Sequence, residues 1–532
     1  NSSTSCKGDG CGAQGGSVNI LSLTNISLQL SEINHSSTTS MGSRVASYGG
    51  SMYVQIGENI SLQYVNISHS STTSHGSNSP SIGGSILIST GQNVSLQSLG
   101  IMHSSAISRG SGSGSYGGSM FVQSGQNVSM QSVDISHSNT TSTGYERDSF
   151  GGSVYIFVGK NIFMQSMSVS HSSTSTNGSY SVSYGGSIYM NTGENVELYL
   201  LDIGNSSSVS NGPASHSGGG SVLIFTTENV SLQSINVRHS SSLSFGSSCQ
   251  SSGGSIMFIL GKHVSLLSVD IRNSSTISIG SNCVSSGGSV TIGGLQNVSL
   301  QSIGIRHSST SSTGSNCVSN GGSVSLDSLQ NVSFQSIDIM HSGSISNGSS
   351  CKTWGGSMSI FGLQNALLQN VNICHSSTIS TGSNVFSRGG SIYVQSMKYV
   401  SLQFANISHS SATSMGSVVS SFGGFMDVLN GQNFSLQFVN INHTSTKSSG
   451  SRSVSYGGSM YFQSGKNLWM RSVDISYSST ISSGSNSVSY GGSMYVQFVQ
   501  NVLLRSMTIL SSKSVCSEAG CSSQGALIYS FS

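Results

Sequence analysis

The heptapeptide SYGGSMY occupies residues 47–53, and the same seven residues return at 455–461 and at 489–495. The first two copies begin 408 residues apart and the last two 34 apart, and 408 is twelve times 34. A Gly-Gly pair recurs at this interval from Gly15–Gly16 to Gly491–Gly492, and single glycines recur from Gly42 to Gly484. A fixed period of roughly 20–50 residues is typical of solenoid proteins, in which each repeat stacks on its neighbours.

Apolar residues alternate with polar ones after each Gly-Gly pair. In the unit Gly457–Tyr490, Met460 and Phe462 alternate first, and Val473 and Ile475 alternate later with the parity shifted by one residue. A period of two predicts β-strands, and the shift predicts a corner between strands. The sequence therefore predicts an all-β fold, a single-stranded parallel β-helix solenoid of about fifteen 34-residue coils with three short strands each. We expect one continuous β-helix over 1–532, with Cys-containing terminal coils at 1–16 and 511–532 matched in repeat phase.

An asparagine column, which includes Asn59, Asn93 and Asn127, runs through the repeats, and eight of its members are also N-glycosylation sequons. The serine two residues further on varies independently of the asparagine. This favours a ladder of side-chain amides bonded along the stack. Glycans are expected mainly at the sequons outside the column: Asn66, Asn139, Asn177, Asn205, Asn273, Asn347, Asn406 and Asn442.

A histidine column, which includes His69, His103 and His137, contains eleven of the fourteen histidines. Imidazole is a common metal ligand, but asparagine or tyrosine replaces histidine in several coils, whereas metal sites usually combine different ligands at defined spacing. The column therefore predicts a stacked structural ladder, and neither a metal site nor a cofactor is predicted.

Two aromatic rows accompany each Gly-Gly pair. Tyr48 and Tyr456 belong to the row before the glycines, and Tyr53 and Tyr461 to a row after them that is expected to face outward. Exposed aromatic rows can bind sugar rings, or they can be covered by the long polar segment of each coil. Covering is the favoured interpretation.

Eight cysteines are disulfide candidates. Cys249, Cys283, Cys317 and Cys351 are spaced by 34 residues, and adjacent coils would bring their Cα atoms to about 4.8 Å, within disulfide range. This favours bridges 249–283 and 317–351. The remaining four candidates form two terminal pairs that are offset by 510 residues, fifteen times 34: Cys6 with Cys11, and Cys516 with Cys521. These pairs bridge either locally or between protomers, 516 to 6 and 521 to 11, and Cys374 is left over.

Composition limits the classes of function. Charged residues are 6% of the chain and the net charge is +2, which argues against a nucleic-acid groove or a polybasic membrane patch. No apolar run is long enough to span a membrane as a helix. The sixteen acidic residues form no cluster suited to catalysis, so neither an enzyme nor catalytic residues are predicted. The start at Asn1, the sequons and the regular cysteines favour a secreted, mature chain.

The recurring GGSI, GGSM and GGSV words extend over the whole chain. They resemble the Gly-Gly-Ala-Ile/Leu/Val hallmark of right-handed parallel β-helix repeats of the polymorphic outer-membrane protein type. The resemblance implies a right-handed β-helix with an extracellular surface role. Dense sequons and near-perfect repeats are more typical of an extracellular fibre glycoprotein of a eukaryotic microbe or alga.

The expected function is that of a structural subunit of a glycosylated extracellular filament, with N-linked glycans and with other copies of itself as its partners. Uncapped β-helix ends that match in phase would stack head to tail, and such a contact generates an open filament. The alternative is a monomeric cell-surface adhesin or carbohydrate-binding β-helix that uses the tyrosine rows.

Overall fold

A computed structural model describes residues 2–21, 24–55, 57–89, 91–124, 126–158, 160–192, 194–226 and 228–531, so the chain's first and last residues lie outside the described part. The regular structure of these ranges is β-strand throughout. They contain no helix with the length and apolar character needed to cross a bilayer. The chain forms two compact units, Asn1–His263 and Val264–Ser532. Each unit is a parallel β-solenoid with coils of about 34 residues, as the sequence predicts.

One coil of the first unit shows how the sequence becomes structure. Its strands are Asn59–His75, Ser81–Ile82 and Ile86–Ser89. Each strand pairs in parallel with its copies in the neighbouring coils, and Asn93 of the next coil lies opposite Asn59. The N–H of Gly50 donates to the carbonyl of Gly83 at 3.1 Å. Residues 34 positions apart are therefore vertical neighbours, which is the geometry that the fixed period predicts.

The longest strands have 17 residues and recur once per coil in much of both units. In the first unit they are Asn25–Met41, Asn59–His75, Asn93–Arg109, Asn127–Thr143, Asn195–Asn211 and Asn229–Phe245. In the second unit they include Val290–Arg306, Asn331–Asn347, Asn365–Thr381, Tyr399–Met415, Asn433–Ser449, Met460–Ser476 and Met494–Leu510. Where the long strand begins just after the glycines, a five-residue strand such as Ser479–Ser483 or Lys513–Ser517 completes the coil.

The corner predicted from the parity shift lies inside these long strands. Tyr64 and His69 adopt left-handed backbone conformations, with φ of 54° and 52°, and they bend Asn59–His75 without interrupting its pairing. Leu62 and Val65, on either side of the first bend, are both buried because the bend reverses the parity. The predicted division into three short strands is therefore modified: one long bent strand contains two of them and the polar segment that follows.

The core of each coil has an apolar part and a polar part. Ile60 and Ile67 are 1% exposed, and Ser70, Thr72 and Ser74 from the polar segment are also at most 1% exposed. The polar segment was expected to cover the aromatic rows, but every second one of its side chains points into the coil. The hydroxyl of Ser51, the serine of the GGS motif, is hydrogen-bonded to that of Ser70 across the interior. Buried hydroxyls are tolerated when they are paired, which accounts for serine after Gly-Gly.

The Gly-Gly columns are required by close approach between coils. Gly49 has φ of 50°, in the region that favours glycine. A Cβ atom on Gly50 would overlap the carbonyl oxygens of Gly84 and Ser71. A larger residue at Gly50 would therefore force the neighbouring coils apart, which accounts for the glycine pairs from Gly15–Gly16 to Gly491–Gly492.

Candidate functional site: side-chain ladders and a buried charge pair

The asparagine column forms a continuous ladder in the first unit. The Nδ2 groups of Asn59, Asn93 and Asn127 donate to the Oδ1 atom of the asparagine one coil earlier, at 2.8, 2.9 and 2.8 Å. Asn331, Asn365, Asn467 and Asn501 make the same bond in the second unit. Each amide uses one donor and one acceptor along the coil axis, as in amide ladders of stacked strands.

The histidine column is a stack of exposed imidazole rings. Ring centroids of His69 and His103 are 4.9 Å apart, and those of His103 and His137 are 4.7 Å apart. Their backbone φ angles are 52–53°, and Asn205 and Asn273 occupy the same position with φ of 52° and 55°. Histidine and asparagine are enriched in left-handed conformations, so the corner itself selects these residue types. Stacking at the coil spacing then follows from the fold.

The predicted glycosylation sites lie on the surface of the described coils. Asn66, Asn139, Asn177, Asn205, Asn273, Asn347 and Asn406 are exposed, and Asn442 is half-buried. Asn205 Nδ2 lies 3.2 Å from His171 Nε2, and Asn442 Oδ1 accepts a bond from Ser476. Exposure makes these side chains accessible to glycan transfer, and their occupancy stays a prediction.

The aromatic row after the glycines is buried. Tyr53 is 5% exposed, Tyr189 7% and Tyr393 1%. The row is covered by the aromatic row before the glycines, as in the stacked pair Phe150 and Tyr189, whose centroids are 4.7 Å apart. Burial raises the pKa of Tyr116 and Tyr184 to about 12. Covering, the favoured alternative, is therefore correct, but the cover is aromatic rather than the polar segment.

The nine cysteines fall into three groups according to their bonding. Cys6 and Cys11 form a disulfide with each other, so the first terminal pair adopts the local alternative. Cys249 and Cys283 are each disulfide-bonded. The remaining five, Cys317, Cys351, Cys374, Cys516 and Cys521, are free thiols.

The predicted 317–351 bridge is not formed in this structure. The Cys351 thiol instead donates to the Gly314 carbonyl at 3.1 Å, and burial raises the pKa of Cys351 to about 11. The Cys516 thiol donates to the Ser487 carbonyl at 3.3 Å, and burial raises the pKa of Cys516 to about 12. High thiol pKa values slow oxidation, because the thiolate is the reactive form. The Cys351 and Cys516 thiols are therefore protected from oxidation while they are protonated.

Sequence reasoning missed a buried ion pair in the second unit. The Arg388 guanidinium lies 3.4 Å from Asp427 Oδ2 and 4.2 Å above the Phe422 ring. Asp427 is fully buried between its register partners Tyr393 and Tyr461. Burial raises the pKa of Asp427 to about 7, while Arg388 opposes the rise. Asp427 Oδ1 has no hydrogen-bond partner among the described residues.

The sequence indicates this pair as two exceptions in the aromatic rows that flank the Gly-Gly pairs. Arg388 replaces the aromatic residue before one Gly-Gly pair, and Asp427 replaces the aromatic residue after the next. The two positions meet because they belong to adjacent coils and to aromatic rows that pack together. In the first unit, Arg147 likewise interrupts a column of small residues and is fully buried, and its Nη1 donates to the Ser113 carbonyl at 2.6 Å.

One column of the sequence alternates acidic with neutral residues in successive coils, as in Asp202 and Asn236 or Asp338 and Asn372. Asn236 donates to Asp202 Oδ1 at 2.8 Å, and Asn372 donates to Asp338 Oδ1 at 2.8 Å. Alternating acid with neutral residues thus replaces like-charge repulsion by hydrogen bonds. Chemically, the described surface offers repeated hydrogen bonding and ring stacking along the coil axis.

Comparison with protein-family models, with curated proteins and with solved structures finds no match for this chain.

Proposed function

We propose that this protein is a non-enzymatic structural subunit of an extracellular, glycosylated filament that grows by head-to-tail stacking of coils. The observation that supports the proposal is the parallel pairing of successive described coils in one register, which continues as far as Ile528–Phe531 and which a further coil of the same phase can extend. Ile528 is 37% exposed, whereas its register partner Met494, one coil earlier, is 0% exposed. Leu527 is 51% exposed. Apolar side chains and an unpaired strand edge of this kind are suited to pairing with another strand.

A second copy of the chain is the proposed occupant, because the first and last partial coils have the same phase. Strand Lys513–Ser517 corresponds to Ser2–Lys7, Ser522–Gln524 to Gly12–Gln14, and Ile528–Phe531 to Val18–Ile20. Three parallel strand pairs would therefore form at each junction. The edge at 502–510 would stay uncovered, because residues 26–34 of the next copy would lie two coil spacings above it.

The filament does not require covalent links between copies. Because Cys6 bonds to Cys11 in the same chain, strand pairing and apolar contact are the proposed cohesive forces. The resemblance of the GGS motifs to β-helix repeats of the polymorphic outer-membrane protein type supports a right-handed helix with an extracellular role. The exposed sequons support glycosylation, and their density supports a source among eukaryotic microbes or algae.

The second candidate function is a carbohydrate-binding adhesin. Of the two aromatic rows first considered for this role, the row after the glycines is buried and the row before them is half-buried against it, so a binder would use other aromatic residues. Phe404 and Phe438 are stacked with centroids 5.1 Å apart and are 55% and 46% exposed. A pair of exposed rings could pack against sugar rings, and a glycan array tests this function directly.

Electron microscopy of the 532-residue chain, with sedimentation velocity at several protein concentrations, tests the filament. We expect fibres that persist after reduction. The double variant Leu527→Lys/Ile528→Lys should abolish them, because it places charges on the proposed junction. Leu200→Lys is the matched control, because Leu200 is also an exposed apolar residue (55%) but lies in the strand Asn195–Asn211, which takes no part in the proposed junction. Discrete particles from the unmodified chain, or fibres that the double variant leaves unchanged, would contradict the proposal.

A further inference from the structure

Cys374 interrupts the regular surface of the second unit beside the histidine ladder. Its Sγ atom lies 2.9 Å from Nδ1 of His375, the next residue. The His375 ring stacks on His409 of the following coil, with centroids 4.7 Å apart. One ligand atom from each of these three side chains lies within 4.8 Å of the other two. Cys374 is half-buried, and both histidines are exposed.

This coil differs from every other coil that contributes to the ladder. The residue before the ladder histidine is serine, methionine, arginine, asparagine or another non-cysteine residue elsewhere in the chain. Ser408 lies opposite Cys374 in the next coil, and its hydroxyl donates to Cys374 Sγ at 3.1 Å. A hydroxyl donor stabilises a thiolate and orients it, as outer-shell partners of metal ligands do.

We propose that Cys374, His375 and His409 form a binding site for a thiophilic transition-metal ion, with Zn²⁺ as the reference ion. One thiolate and two imidazoles are typical zinc ligands, and a site with three protein ligands keeps a fourth position for water or another ligand. Tetrahedral Zn²⁺ holds such ligand atoms about 3.3–3.6 Å apart. Small rotations of the exposed imidazoles would bring the three side chains to these separations. On binding, the thiol proton leaves to solvent as the Zn–S bond forms.

The His375 ring is held between its neighbours in the ladder, because it also stacks on His341 of the preceding coil with ring centroids 4.7 Å apart. Met340 lies opposite Cys374 in the preceding coil and adds a second sulfur-containing residue to this part of the column.

The test is a Zn²⁺ titration of the reduced full-length chain against a chromophoric chelator. We expect one tight ion per chain, which Cys374→Ser weakens more than about 100-fold, since even changes outside the ligand shell cost 10–100-fold. His409→Gln should also weaken it. His103→Gln is the matched control, because it removes a ladder histidine that has no cysteine beside it. Cys516→Ser/Cys521→Ser should retain the tight ion and thereby exclude the terminal thiols as its ligands.

Co²⁺ provides a readout that does not depend on affinity. A thiolate-to-cobalt charge-transfer band should appear in the unmodified chain and in His103→Gln, and it should be absent from Cys374→Ser. Unchanged circular dichroism would show that each variant is folded. Equal Zn²⁺ affinity of Cys374→Ser and the unmodified chain would overturn the proposal, as would a cobalt band that persists without Cys374.

Discussion

The buried carboxyl group of Asp427 makes stability depend on pH in an unusual direction. Burial raises the pKa of Asp427 from 3.8 to about 7 in the folded chain. In the unfolded chain the same group ionises near its ordinary pKa of about 3.9. Between these two values the folded state holds a proton that the unfolded state has released. The stabilising contribution is therefore fully present below about pH 4 and is lost as the pH rises through about 7.

The size of the effect follows from the two pKa values. The interval from 3.8 to about 7, at about 1.36 kcal/mol per pKa unit, corresponds to about 4 kcal/mol. Asp427→Asn keeps the shape of the side chain but removes its titration. Between about pH 4 and pH 8 we expect the free energy of unfolding of Asp427→Asn to rise by about 4 kcal/mol relative to that of the unmodified chain, because only the unmodified chain loses stability over this range.

Urea denaturation at several pH values, followed by near-ultraviolet circular dichroism, measures this difference. Tyr393 and Tyr461 flank Asp427 and should report on its surroundings. Because repeat arrays can unfold in parts, hydrogen exchange of residues 422–430 provides a local measurement. Asp474→Asn, at an exposed strand position, controls for the change in charge. Parallel pH profiles of the unmodified chain and Asp427→Asn would refute the reasoning.

Three further predictions concern the repeat itself. Gly84→Ala should destabilise the fold by at least about 2 kcal/mol in thermal or chemical denaturation, because the added Cβ atom would overlap the carbonyl oxygens of Gly118 and Ser105. Gly204→Ala is the control and should be nearly neutral, since there is open space around Gly204. Ser85→Ala and Ser104→Ala should each cost about 1–3 kcal/mol by leaving one buried hydroxyl unpaired, and the double variant should cost less than their sum. Glycopeptide mass spectrometry of chain secreted from a eukaryotic host should find higher occupancy at Asn66 and Asn273 than at Asn59 and Asn93, whose Nδ2 groups are already hydrogen-bonded. Equal occupancy at both groups would contradict the assignment of the ladder.

The period and the strand alternation were sufficient to predict the fold class, the parallel register and the vertical contacts. These features depend on columns that are visible in one sequence. Gly50 and Gly84, for example, must be small for the same steric reason in adjacent coils. The amide and imidazole ladders follow from the same logic, because a parallel stack repeats whatever its columns contain.

The polar half of the core was not predictable from alternation. In segments such as residues 70–74, SSTTS, both faces of the strand carry the same residue types, so the sequence does not distinguish inward from outward. The burial of Ser70, Thr72 and Ser74 becomes visible only when the coil closes. Burial of Tyr53 was hidden for a related reason, because its cover comes from another part of the coil.

A residue that differs from the others at its repeat position marks a coil with different properties. A tyrosine at position 427 would continue the row of Tyr393 and Tyr461, whereas Asp427 must be desolvated there and is only partly compensated by Arg388. Above about pH 7 the folded chain must hold this carboxylate in a fully buried position. The coil around Asp427 should therefore exchange its amide hydrogens sooner than its neighbours as the pH rises. Because a solenoid coil is stabilised mainly by the coils next to it, such a local weakness can open one position of the second unit while more distant coils stay paired.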